Sequence, residues 1–336
     1  MFYVSGFGRT TIPGWQPTLE RRNATNTATL QEMSLPMQEQ EEHQLYEMPV
    51  TLERDEQGES VILYELIVPS ASRPHLLEPV LQSLFQHVDQ RPERVWIHND
   101  AAFPGREQAI HEVVARSVPA GIPWHVHYES PPIYHGPTLA WLLRQATTEY
   151  VLYSQDDHIV CRPVPITRCL AVMAAHQLHH VRFNKRATMA VKGSGTQQWA
   201  KQEQQFQMSA HLETLTVADH WYFQTSLWRR ERIKKVTDWF MANFSGSFRE
   251  HAEIKINHAM NGRDPHFTPA ALLDMPGPRE NPMDPDVRAR IQRTYIWGPI
   301  GEDRYVLHIG DAPKDWALPH ARSQNPEGIR AQFPER

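Results

Sequence analysis

The chain is poor in cysteine: among 336 residues only Cys161 and Cys169 occur, too few for a disulfide scaffold and compatible with a reducing cytoplasm. It lacks an early segment that joins a basic start to an apolar run, and it lacks any apolar run long enough to span a bilayer. A cytoplasmic protein without a membrane anchor is the expectation. No internal repeat is visible. Acidic residues are missing from one long interval: no Asp or Glu falls between Asp157 and Glu203, where Arg162, Arg168, Arg182, Lys185, Arg186, Lys192 and Lys201 all lie. Such a stretch is either a solvated face or a contact for an anionic partner, a diphosphate or a nucleic acid.

The net charge of −5 is unevenly placed. Residues 1–60 hold four basic and ten acidic side chains, which leaves thirty basic and twenty-nine acidic for the rest. Those first sixty residues are rich in Thr, Gln and Glu and poor in apolar periodicity, so an acidic extension is expected rather than a domain. Regular structure is expected from Val61. Residues 61–310 read as one α/β domain, with a ligand-binding half over 61–160 and an irregular half over 161–310, and 311–336 as a polar tail.

Val61 to Pro69 carries the β-branched and aromatic signature of a strand. His75 to Val88 repeats apolar residues at helical spacing. A second strand ends at Asp100, a helix covers Phe103 to Val118, a short strand lies near Trp124 to Tyr128, and a helix opens at Gly136. This alternation is the rhythm of a mostly parallel sheet flanked by helices. Beyond it, Ile166 to Leu178 reads as a helix, Val181 to Phe183 as a strand, Gly193 to Gln205 as a loop, and His220 to Val236 as an aromatic strand leading into a basic helix. The prolines between Asp264 and Asp286 suggest a lid or long loop. The cluster His176, His179 and His180 reads as helix surface.

The informative stretch is Tyr150 to Val160, YVLYSQDDHIV. A buried strand runs into adjacent carboxylates, and strand ends face the ligand crevice in α/β sheets. Paired hard oxygens suit Mg²⁺ or Mn²⁺ together with a bound phosphate. The alternative is an acidic turn or helix cap after the strand.

Taken in order, these residues resemble the GT-A type glycosyltransferases, closest to the broad family 2 pattern. The turn Val68-Pro69-Ser70-Ala71-Ser72-Arg73-Pro74 resembles the opening strand and the turn under the nucleotide. Asn99-Asp100 resembles the acidic position on uracil or ribose, and Gln155-Asp156-Asp157 falls at the metal-binding DXD-type motif. Glu250 and Glu253 resemble the segment that supplies the base, and His308-Ile309-Gly310 the late histidine of the metal site. The resemblance implies Asp157 as principal ligand of Mn²⁺ or Mg²⁺, with Asp156 and His308. It further implies Pro69, Ser70, Arg73, Asn99, Asp100, Gln155 and Asp156 at the donor, UDP-sugar first, and an inverting displacement with Glu250 or Glu253 as base. Gln stands where the motif has its first Asp, and His251 where an Asp is common. Asp100 is also a natural helix cap, Glu250 a first-turn helix acid, and His308 a core histidine.

For the acceptor, Arg182, Asn184, Lys185 and Arg186 with Trp221 and Tyr222 combine cations with aromatics, which stack on sugars or bases. A saccharide or a modified base in DNA, as some phage enzymes glycosylate, fits that pattern. A nucleotidyltransferase is the rival enzyme, although the turn SASRP has no glycine for a phosphate loop. A non-catalytic sugar- or nucleic-acid-binding module is the rival of another class.

Overall fold

The computed structural model describes residues 52–54, 60–100, 103, 105–185, 188–189, 198–208, 211–218, 221–244, 252–260 and 293–310. The expected first half is present: β3 (Tyr64–Ser70), α1 (Pro74–His87), β4 (Val95–Asp100), α2 (Glu107–Ser117), β5 (Trp124–Glu129), α3 (His135–Gln145) and β6 (Tyr150–Tyr153). Strand β3 pairs in parallel with both β4 and β6, and β4 with β5. Ahead of it β1 (Leu52–Arg54) and β2 (Ser60–Ile62) form an antiparallel pair. Regular structure therefore starts before Val61; two three-residue strands are too short to carry a readable period.

The second half is more regular than its sequence suggests. It supplies β7 (His158–Val160), α4 (Ile166–Ala175), β8 (His180–Arg182), β9 (Thr188–Met189), β10 (Gln198–Met208), β11 (His211–Ala218), β12 (Ser226–Arg229), α5 (Arg230–Asn243), α6 (Ala252–Met260), β13 (Thr294–Trp297) and β14 (Val306–His308). Six of these strands extend the first four into a ten-stranded sheet of order β5-β4-β3-β6-β12-β8-β13-β11-β10-β9. The sheet is parallel through its first four strands and mixed after β12, which runs antiparallel to both β6 and β8. Residues 198–205, expected in a loop, lie in β10 and pair antiparallel with β11. Along β10 exposed and half-buried residues alternate from Glu203 to Met208. Glutamine on both faces hides that period from hydropathy.

Two apolar cores cover the two faces. Leu66, Val68, Ile97 and Leu152 meet α1, α2 and α4, whereas Ile67, Val151 and Tyr153 meet α3, α5 and α6. The described residues thus form a three-layer α/β/α fold. Strand β6 contributes to both cores, which is why its sequence is a continuous apolar run rather than an alternating one. Among the described residues no helix is long and apolar enough to cross a membrane.

The histidine cluster is not helix surface. His176 follows α4 and rests on Phe206 at 4.2 Å, while His180 lies in β8, fully buried, with both ring nitrogens lacking a hydrogen-bond partner. Burial, with the charge of Arg182, pushes the His180 imidazole well below its ordinary value. The unfolded chain therefore takes up a proton near pH 6.5 that the folded chain refuses, so stability falls as pH drops below that value. His180→Leu is expected to flatten the acid limb by up to about 1.4 kcal/mol per pH unit between pH 6 and 5. Urea melts at the two pH values check this, and unchanged slopes would refute it.

Candidate functional site

Strands β3, β4 and β6 run parallel and end side by side, and the residues that follow them converge. The β3–α1 turn is the first component. Ser72 holds a left-handed φ of 56°, which a non-glycine residue keeps only when its surroundings fix it. Asn99 does so: Ser72 N donates to Asn99 Oδ1 at 3.0 Å, and Asn99 Nδ2 donates to Ser72 Oγ at 3.1 Å. Arg106 adds a bond to the Ser72 carbonyl at 3.3 Å.

Asp156 binds the same turn from the other side. Its Oδ2 accepts from Ser70 Oγ at 3.1 Å, from Ala71 N at 2.9 Å and from Arg73 Nε at 3.3 Å, while its Oδ1 accepts from the Arg73 guanidinium. Both oxygens of this carboxylate, expected at metal and donor, are thereby committed to holding the turn. Arg73 is itself only 9% exposed and also donates to Asp157 Oδ2 at 3.1 Å.

Asp157 is fully buried. Strand β14 pairs antiparallel with β7 so that His308 stands opposite His158, and Ile309 N donates to the Asp157 carbonyl at 2.9 Å. That register brings His308 Nε2 to 3.3 Å from Asp157 Oδ2. On the other carboxylate oxygen, His158 Nε2 lies 3.9 Å from Oδ1, and neither atom has a hydrogen-bond partner. His158 is fixed through Nδ1, 3.3 Å from Thr225 Oγ1, which in turn lies 3.1 Å from Ser154 Oγ. Burial alone would raise the Asp157 carboxyl, but the His308 hydrogen bond and the Arg73 charge hold it well below the usual carboxylate range. Burial pushes His158 down to about 3, which leaves its imidazole neutral at neutral pH.

One atom from each of Asp157, His158 and His308 lies within 4.8 Å of the other two. A deprotonated carboxylate, a neutral imidazole oriented through its other nitrogen, and two orphaned ligand atoms are what a divalent cation requires. Two imidazoles beside one carboxylate favour a first-row transition ion over Mg²⁺, which prefers oxygen. His158 is not among the residues expected from the sequence, where its position directly after the paired acids is the available signal.

Gly310 seals the group. A Cβ there would sit 2.6 Å from Asp157 Oδ2 and 3.1 Å from Asp157 Cβ, a clash with a short side chain already pinned by Arg73. Gly310→Ala is expected to destabilise the chain by about 1–3 kcal/mol, as overpacking does. Chemical denaturation measures it, and a wild-type midpoint would show that the carboxylate moves freely.

The other anticipated residues divide. Ser70, Arg73, Asn99, Asp156, Asp157 and His308 are brought together as described. Pro69 is half-buried at the end of β3, and Gln155 turns back to donate to the Tyr153 hydroxyl at 3.1 Å. Asp100 accepts from Ile133 N and Tyr134 N, both at 2.7 Å, so it caps the entry to α3. Burial raises its carboxyl despite those two bonds. Asn184 is fully buried, and its carbonyl takes the amides of Tyr305 and Val306, which steers the chain into β14. Trp221, expected to stack on an acceptor, is 2% exposed and packs on His180, Phe223 and Trp228. An aromatic run flanked by cations reads as a binding surface, but here its first ring is spent on core. Arg182 is likewise buried, with its guanidinium over the half-buried Tyr222 ring at 5.2 Å, and Lys185 is half-buried. The acid-free stretch is not an open cationic face at Arg162 or Arg168, which are paired with Glu302 and Glu213. Glu253 belongs to α6. Glu250 and Arg186, like the proline-rich stretch 264–286, lie outside the described residues.

No protein-family profile matches the chain, and no curated protein does. Among solved structures, TarS residues 1–349 of Staphylococcus aureus is 16% identical over 58% of this chain and 55% of that one, with a TM-score of 0.41. A Pyrobaculum calidifontis mannosyltransferase, solved with GDP-Man and Mn²⁺, is 13% identical over 68% and 69%, at 0.40. A 4-diphosphocytidyl-2C-methyl-D-erythritol synthase from Anaerococcus prevotii is 12% identical over 60% and 85%, at 0.35. The match spans little more than half of the staphylococcal chain.

Proposed function

We propose that this chain is a metal-dependent glycosyltransferase that moves a sugar from a nucleotide diphosphate sugar to an acceptor hydroxyl, with inversion. The observation that carries the reading is the convergence of Asp157, His158 and His308 with the Arg73 turn at the carboxyl ends of parallel strands, the place where α/β sheets bind nucleotides. A divalent ion on those three residues would neutralise a diphosphate as it departs. The chain's own residues supply the rest. Arg73 keeps Asp157 ionised and adds positive charge beside it, and Asn99 with Asp156 holds the turn in one conformation. Such preorganisation stabilises developing charge without rearrangement during the reaction.

The attacking hydroxyl needs a carboxylate on the face opposite the diphosphate. Glu250 and Glu253 are the candidates for it. The pairing of Arg162 and Arg168 with acids favours a saccharide acceptor over duplex DNA, whose binding rests on free cations along the phosphates. Two free thiols, Cys161 and Cys169, fit a cytoplasmic setting.

The test is a release assay over UDP-, GDP- and TDP-sugars with Mn²⁺, with EDTA as control. Nucleoside diphosphate should appear from one donor and cease on chelation. Absence of release from every donor, together with absence of nucleotide binding by calorimetry, overturns the proposal.

A further inference from the structure

A second group of ligating side chains lies on the other face of the sheet. Alternation along β4 turns Asn99 toward the core that holds α1, and His98 toward α3. On the edge strand β5, His127 pairs in register with His98, and Glu129 follows two residues later on the same face. One ligand atom from each of His98, His127 and Glu129 lies within 4.8 Å of the other two.

The group has the marks of a built site. His98 is fully buried, and its Nε2 has no hydrogen-bond partner. Its Nδ1 lies 3.3 Å from Thr138 Oγ1 on α3. With Nδ1–H donated to that hydroxyl, Nε2 presents its lone pair to the cluster, as in metal-bound histidines oriented through the other ring nitrogen. The side chain of Trp141 clamps both rings: it stacks on His127 at 4.6 Å and 18°, and meets His98 edge-on at 5.3 Å. His127 Nε2 lies 3.1 Å from Glu129 Oε2, and their side chains are 33% and 36% exposed. An ion thus has a path from solvent, with one side of the group left for water.

We infer that His98, His127 and Glu129 form a second divalent-metal site that takes Zn²⁺ and ties the edge strand β5 to β4. Two imidazoles and one carboxylate with an open fourth position are a zinc donor set, and hard Mg²⁺ or Ca²⁺ would not select two nitrogens. The site is separate from the Asp157 group and does not depend on the activity proposed above. A ligand that binds the folded state alone stabilises it by mass action, and an ion held by His98 and His127 cross-links the neighbouring strands β4 and β5.

The test uses the full chain carrying Asp157→Asn, which disables the first group, and measures Zn²⁺ binding by calorimetry and thermal melting. One equivalent of Zn²⁺ is expected to bind, and EDTA should lower the melting temperature. Adding His127→Ala and Glu129→Gln, which change partly exposed residues and spare the buried His98, should abolish the equivalent and the EDTA effect, with an unchanged circular dichroism spectrum. His127→Cys, which restores a zinc ligand, should regain binding. Retention of the equivalent in the His127→Ala/Glu129→Gln chain, or no binding before those changes, would overturn the inference.

Discussion

Replacing Asp157 by asparagine is expected to reduce diphosphate release by roughly 10²–10³-fold, the usual range when one preorganised charge-stabilising group is lost. The amide keeps the volume of the carboxylate and can still accept from Arg73. It removes the negative charge that a cation needs and that Arg73 and His308 are arranged to preserve. The fold should persist, because Asp156 continues to anchor the β3–α1 turn through Ser70 and Ala71. The decisive comparison is Asp156→Asn: its oxygens are occupied by the turn, so its loss should appear as lowered stability before lowered affinity for Mn²⁺. If the two variants lost Mn²⁺ affinity equally, the division of roles between the adjacent acids would be wrong.

Arg73→Met carries the largest expected stability change, about 3–5 kcal/mol, the range for removing one member of a buried ionic group. The guanidinium stands between two carboxylates that are 2% and 0% exposed. Without it, Asp156 keeps only its bonds from Ser70 and Ala71, and Asp157 only its neighbouring imidazoles. The sign of the pH effect should then reverse. In the wild-type chain the Asp157 carboxyl is held below its unfolded value, so its contribution is complete above about pH 4 and lost as pH falls further. In the variant the Asp157 carboxyl, whose burial the guanidinium no longer offsets, should titrate above the unfolded value, so acidification stabilises it and the deficit shrinks between pH 7 and 5. Urea denaturation at both pH values decides, and an equal deficit at each would mean that packing, not charge, explains the loss.

The first half of the fold was legible because each element there carries one uninterrupted signal. Tyr150 to Tyr153 is apolar on both faces and borders both cores, and α1 keeps its stripe from Leu76 to Leu84. The glutamines of β10 offer no contrast between faces, so only pairing with β11 reveals that strand. At the site, strand ends announced Asp100 and Asp157, but the tasks of the two carboxylates at 156 and 157 depend on which one meets Arg73 along both oxygens. Nothing local in QDDH distinguishes them. The place of His158 directly after the paired acids is a weak signal by itself, because its partner histidine is set by a register between β7 and β14 that no local pattern encodes. Trp221 misled for the opposite reason, since a ring beside cations looks alike whether it faces solvent or core.

The pairing of β14 with β7 also orders events during synthesis. His308 emerges about 150 residues after Asp157, which at ribosomal speeds of about 5–20 residues per second is a delay of roughly 8–30 s. Arg73 precedes both acids, so a nascent chain can neutralise its carboxylates early, yet it gains its second imidazole only when the strand from Val306 to His308 docks. The three-residue group of Asp157, His158 and His308 is thereby complete only after Val306 to His308 has been made, and an arrested chain that stops before Val306 would hold the charge pair without His308.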